Sequence, residues 1–168
     1  MSADVPFREP PDDLPGQAKY QVHAAGSTLY RIHSASYSPT EFKDQAADNP
    51  FRGGRFDSPA GDYRYMYAAR QLGGAVAETL LRDVPLTDVG EPRVIALAAL
   101  KGRRISRIRL IRPLRFVDLS GSGAHAFGQD TWLTKCDASG YPFTRHWAVK
   151  IRQWCPEAAG FRLALTDR

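Results

Sequence analysis

Segments with a strand-like period of two and a helical period near 3.6 follow one another here without steady strand–helix–strand alternation. That order excludes a regular parallel sheet and points to an α+β fold. The first clear strand is "STLYRIHS", whose alternation sets Leu29, Arg31 and His33 on one face and Tyr30 and Ile32 on the other. Residues 49–61 ("NPFRGGRFDSPAG") are a glycine- and proline-rich break. A helix is expected from about Gln71 to Asp83, with Leu72, Val76, Thr79 and Leu80 as its apolar stripe. Strand-like segments follow at 93–100, 105–111 and 114–120. After them come a short helix over 124–133, a better one from an N-cap at Thr144 to Trp154, and a last strand in "GFRLALTDR".

A length of 168 residues suits one domain with a substantial core. Residues 1–18, with four prolines among acids and glycine, have little to bury and read as a flexible Pro-rich arm before a domain over 19–168. No apolar run approaches a membrane span, and the N-terminus is polar. Cys136 and Cys155 lack both metal-ligand and CxxC spacing, which suits a reduced, cytoplasmic protein. The four histidines have no paired spacing either, so no metal is expected. A net charge of +5 and a pI near 9.4 rest largely on Arg103, Arg104, Arg107, Arg109, Arg112 and Arg115. Such a stripe can mark a nucleic-acid surface or a solvated strand face. With few aromatics among the arginines to stack on bases, the solvated face is the better reading.

Chemistry concentrates between Arg31 and Glu78. An arginine on the leucine face of a strand needs a partner or a ligand. Arg55 follows Gly53 and Gly54, on a turn able to aim backbone N–H groups at an anion. Two planar guanidinium groups, Arg31 and Arg55, suit a diphosphate. Tyr67 offers an aromatic face to a flat heterocycle. On a helical projection Glu78 lies off the apolar stripe, beside Gly74 and Arg82, where open space over Gly74 would admit a ribose. Its carboxylate would stabilise an oxocarbenium-like transition state. The competing reading is an exposed Glu78–Arg82 pair. One motif misleads: "GSGAHA" matches a dinucleotide fingerprint, but about 20 residues on, where an acid-ended strand is required, the chain reads "KCDASGYP".

These residues stand within "LYRIHS", "RGGRFDS", "YMYAA" and "AVAETLLRD", followed by "RFVDLSG", "TWLT" and "YPFTRHWAVKIRQWCPEAAGF". The set, in this order, resembles the RES domain family. The resemblance implies a fold like that of ADP-ribosyltransferase toxins. It also implies an NAD-degrading toxin of a toxin–antitoxin pair, with NAD as substrate rather than cofactor, a cognate antitoxin as partner and a homodimer. By position, Arg31 and Glu78 would be the family's catalytic arginine and glutamate. Arg55 would hold the phosphates and Tyr67 the nicotinamide end. The family's serine, expected on a strand after "PEAAGF", has no counterpart, since none follows Ser139. Thr166 is the nearby hydroxyl, and a truncated or degenerate copy that binds a nucleotide without turnover is the alternative.

Overall fold

Strands and helices follow one another irregularly, as α+β patterning requires. The computed structural model describes residues 8–44, 46, 49–82, 84, 92 and 94–163. In chain order the described elements are β1 (Tyr20–His23), β2 (Thr28–Ser34) and α1 (Leu72–Val76), which runs into a π-helical turn (Ala77–Leu81). Next come α2 (Leu97–Leu100), β3 (Arg103–Arg109) and β4 (Leu114–Asp118). The last are α3 (Ser122–His125), α4 (Trp132–Lys135), a 3-10 turn (Ala138–Gly140), α5 (Tyr141–Trp154) and β5 (Gly160–Arg162). They belong to two compact units. One is drawn from Met1–Ala24, Lys43–Tyr65 and Pro113–Arg168, the other from Ala25–Phe42 and Met66–Arg112.

The first unit is a three-stranded sheet, order β1-β4-β5, with β4 antiparallel to β1 and parallel to β5. Helix α5 supplies its core. Trp147, Ala148 and Ile151 recur at helical spacing and are fully buried, with Val117, Leu119, Phe127 and Leu133 among their cluster. Pro142 suits the first turn of this helix, where its missing N–H costs nothing. The expected N-cap at Thr144 is therefore corrected: the helix begins at Tyr141, and Thr144 lies buried within it. The helix expected over 124–133 is two short ones, because Gly128 at φ 66° breaks the chain between them and the Asp130 carboxylate accepts from Trp132 N–H at 2.8 Å. At the strand ends, Asp118 Oδ1 accepts from Ser120 N–H and from Arg162 Nη1 at 2.9 and 3.0 Å. Burial works to raise this carboxyl, but the bonds from Ser120 and Arg162 outweigh it and hold it below the usual carboxylate range. The segment read as a flexible arm makes contacts from Arg8 onward. Trp147 Nε1 donates to Arg8 O at 2.7 Å, Trp154 Nε1 to Asp12 O at 3.2 Å, and Leu14 packs on the core. Residues 1–7 lie outside the described residues.

The second unit is built on the β2–β3 hairpin, antiparallel from Thr28↔Arg109 to Ser34↔Arg103. As the alternation requires, Leu29, Arg31 and His33 are buried; Ile32 on the opposite face is buried too. Strand β3 starts two residues earlier than the expected 105–111 and stops before Ile111, which is 93% exposed. The strand expected at 93–100 is not formed over its described residues. Its end is the helical turn α2, in keeping with the helix propensity of "LAAL", and Val94 and Leu97 stand in solvent, so no core enforces an extended form. The helix expected over 71–83 exists but changes winding at Ala77. A π turn carries one extra residue per turn, so the 3.6 projection fails there. Gly74 and Ala75 are buried in place of the expected stripe, and Leu72 and Thr79 are exposed. Asp83 lies outside the described residues. Among the described residues, no helix is long and apolar enough to cross a membrane.

Candidate functional site

Three of the four predicted site residues belong to the second unit. Arg31 is 6% exposed, and the partner that its burial demands comes from the chain itself. Its Nη1 donates to Pro39 O and Glu41 O, both at 2.7 Å, and approaches Met66 Sδ at 3.8 Å. Backbone carbonyls seven to ten residues away therefore fold around the guanidinium. Burial lowers its pKa from the ordinary arginine value, with the charge of Glu41 opposing that shift.

The contact with Met66 brings the residue before Tyr67 to Arg31. Tyr30 N–H donates to Ala69 O at 2.7 Å, and Ala69 N–H to Tyr30 O at 2.8 Å, so this stretch is bridged to β2. Tyr67 is 44% exposed, which leaves much of its surface to solvent. Glu78 is half-buried on the π turn that continues α1, and α1 packs on β2. The open space expected over Gly74 belongs to Gly73 instead. A side chain at Gly73 would meet nothing within 4 Å, whereas Gly74 is buried.

Arg55 belongs to the first unit and sits in a loop whose carbonyls and Gly54 N–H are bonded within the protein. The anion that meets the Gly54 N–H is the buried Asp57 carboxylate, with Oδ2 at 3.0 Å. Gly53, at φ 89°, makes the close approach possible; a Cβ there would fall 2.5 Å from Asp57 Oδ2 and 3.5 Å from Arg145 Nη2. On the carbonyl side, Arg145 donates through Nη1 to Asn49 O at 2.8 Å and Pro50 O at 3.1 Å. Its Nη2 reaches Arg52 O, and its Nε reaches Gly54 O at 3.3 Å. Thr144 Oγ1 donates to Arg55 O at 2.6 Å. The Arg55 side chain donates from Nε to Cys136 O at 3.0 Å, and its guanidinium lies 5.7 Å from the Tyr141 ring centre.

The sequence reading missed Arg145 and Asp57. One signal was available for Arg145. It stands four residues after Tyr141 and three before Ala148, on the apolar stripe of α5, where an arginine has to be bonded inside the protein. The "GSGAHA" segment forms only the four-residue helix α3, and Gly123 is there because a Cβ would collide with the Asp118 backbone. His33 is satisfied within the hairpin. Its Nδ1 donates to Ser34 O at 2.8 Å, since a carbonyl only accepts, and its Nε2 is hydrogen-bonded to the Ser106 hydroxyl at 2.9 Å. Both cysteines are free and buried, and burial pushes both thiols up. Among the described residues no cluster of His, Cys, Asp and Glu is placed to hold a metal ion. The stripe arginines from Arg103 to Arg115 are all exposed, and Arg115 covers the Tyr20 ring at 3.8 Å. Thr166 lies outside the described residues.

No curated protein and no solved structure matches this chain. The family model described as RES domain matches residues 28–164, a span that holds Arg31, Arg55, Tyr67 and Glu78 as well as the α5 residues that close on the Arg55 loop. With most of its length matched, the chain belongs to the RES domain family.

Proposed function

We propose that this protein degrades NAD by breaking its nicotinamide–ribose bond, as the toxin of a toxin–antitoxin pair. The observation that carries the reading is the family match, which spans all four residues assigned to NAD. Glu78, half-buried on the π turn that continues α1, is assigned to the ribose, where a carboxylate lowers the energy of the positive charge that develops as the bond lengthens. The exposed Tyr67 face is assigned to the nicotinamide ring and Arg55 to the diphosphate. Nicotinamide departs as a neutral molecule, so no strong general acid is needed. Attack by water on the anomeric carbon gives ADP-ribose and a proton. Attack by inorganic phosphate gives the 1-phosphate ester of ADP-ribose instead.

The test is nicotinamide release by purified protein, with and without phosphate, beside Glu78→Gln. A fall in kcat of about 10²–10³ in the folded variant is expected, the scale of removing one transition-state stabiliser. Unchanged turnover in Glu78→Gln would falsify the assignment. Expression without a partner should arrest growth, and a co-expressed cognate antitoxin should relieve it. A second reading, a module that binds NAD without consuming it, is favoured by Arg31, whose Nη1 is bonded to the protein's own carbonyls. Calorimetric NAD binding without nicotinamide release would establish that reading.

A further inference from the structure

We propose that Arg145, with Thr144, is a positioning residue that holds Arg55 and its loop in a preformed, binding-competent shape. The inference rests on the assignment of Arg55 to the NAD diphosphate. Arg145 is 2% exposed, yet it carries a charge that burial in apolar surroundings would penalise heavily. What offsets that penalty is one six-residue stretch. All three guanidinium nitrogens are spent on the carbonyls of Asn49, Pro50, Arg52 and Gly54. No other side chain type could make these bonds together, because only a planar fork of five N–H donors reaches several carbonyls at once.

The same segment of chain holds Arg55 at both ends. Thr144, next to Arg145 on α5, takes the Arg55 carbonyl, while Cys136 O takes its Nε. The Tyr141 ring lies 5.7 Å from the Arg55 guanidinium and 5.8 Å from that of Arg145, so one aromatic ring is within cation–π range of both cations. Asp57 closes the remaining side by accepting from Gly54 N–H. The loop therefore does not wait for an anion to order it. Asp57 takes the Gly54 N–H and Arg145 takes the loop carbonyls, and the Arg55 guanidinium is the group assigned to phosphate. A binder formed in advance gives up less conformational entropy on binding, so loss of the device should appear in affinity first.

The experiment compares Arg55→Ala, Arg145→Lys, Thr144→Val and the double variant Arg55→Ala/Arg145→Lys. Each is checked for fold by circular dichroism and thermal melting. Michaelis constants are measured if NAD is consumed, and calorimetric Kd values if it is only bound. Arg145→Lys keeps the charge but loses the fork, and should raise KM or Kd about tenfold with kcat nearly unchanged. Thr144→Val, which removes only the grip on the Arg55 carbonyl, should act in the same direction and more weakly. It also carries the test if Arg145→Lys fails to fold. Because Arg145 acts through Arg55, the double variant should bind no worse than Arg55→Ala alone. A merely structural Arg145 would add its loss to that of Arg55. Wild-type affinity in folded Arg145→Lys and Thr144→Val, with Arg55→Ala impaired, overturns the positioning role alone; so does full additivity in the double variant. Wild-type affinity in Arg55→Ala, or a protein that neither binds nor consumes NAD, removes the underlying assignment, and the positioning role falls with it.

Discussion

The two units solve the problem of a buried arginine in the same way but rest on very different amounts of core. In the first, Arg145 gathers the carbonyls of residues 49–54, and the helix that bears it is backed by Trp147, Ile151, Phe127 and Leu133. In the second, Arg31 gathers carbonyls of residues 38–41, and among the described residues the buried apolar set of the unit is Leu29, Ile32, Ala75, Ile108 and Leu110. Other apolar residues of that unit, Val94, Leu97, Ile105 and Ile111, face solvent. Burial of an arginine in this protein thus reports a turn that has to be closed, and does not by itself mark a ligand site. Among the described residues, the unit that carries Arg31, Tyr67 and Glu78 has the smaller buried apolar set, and regions of that kind open at lower free energy than a packed core.

The largest effect that would test this contrast is in the first unit. Trp147 is fully buried and its Nε1 is bonded to Arg8 O, so Trp147→Ala removes packing and strands a carbonyl. It should cost about 3–5 kcal/mol, read as the shift in a urea unfolding midpoint. Native-state hydrogen exchange in the same variant should show protection lost across β4 and α5, more than across β2 and β3. Equal loss in both units would mean that they unfold as one, and the contrast drawn from their cores would be wrong.

A smaller effect is expected in the second unit. Arg31→Ala leaves the carbonyls of Pro39 and Glu41 without their donor, a loss of about 2 kcal/mol for bonds to a charged group. The signature is local: faster amide exchange over residues 36–42, with the first unit unchanged. This outcome also changes how an activity assay is read. Loss of NAD turnover in Arg31→Ala would follow from a displaced turn as readily as from a lost substrate contact, which makes Glu78→Gln the cleaner probe. If exchange over 36–42 stays slow in Arg31→Ala, the turn is held by other means and the guanidinium is free to be assigned to substrate.

Legibility in the sequence followed the same divide. Strands β2 and β4 and helix α5 were readable because one face of each meets a core, and burial imposes its period on residue choice. At 93–100 the apolar run reads as a strand, but Val94 and Leu97 are exposed and no core face holds the segment extended. The π turn at Ala77–Leu81 defeated a projection that assumes 3.6 residues per turn, and with it the placing of Glu78 over Gly74. Arg31 was legible as a buried cation, since its strand face was apolar, but not as one bonded to a turn seven to ten residues on. The grip of Arg145 and Thr144 on the Arg55 loop joins residues some 90 positions apart, and local pattern has no record of such a bond.

The smallest effect is the sharpest check on the second unit's surface. Ile111 is 93% exposed just beyond the end of β3, and a side chain in that position has little left to lose on unfolding. Ile111→Ser should therefore leave stability within about 0.5 kcal/mol of wild type, the range of surface changes that touch no cap, pair or core. Chemical denaturation of the two proteins side by side measures this directly. A destabilisation well outside that range would mean that Ile111 is covered in solution, and that the second unit owes part of its stability to whatever covers it. Near-identity, with Trp147→Ala strongly destabilised, would leave the contrast standing: one unit held by its aromatic core, the other by a hairpin and an arginine-closed turn.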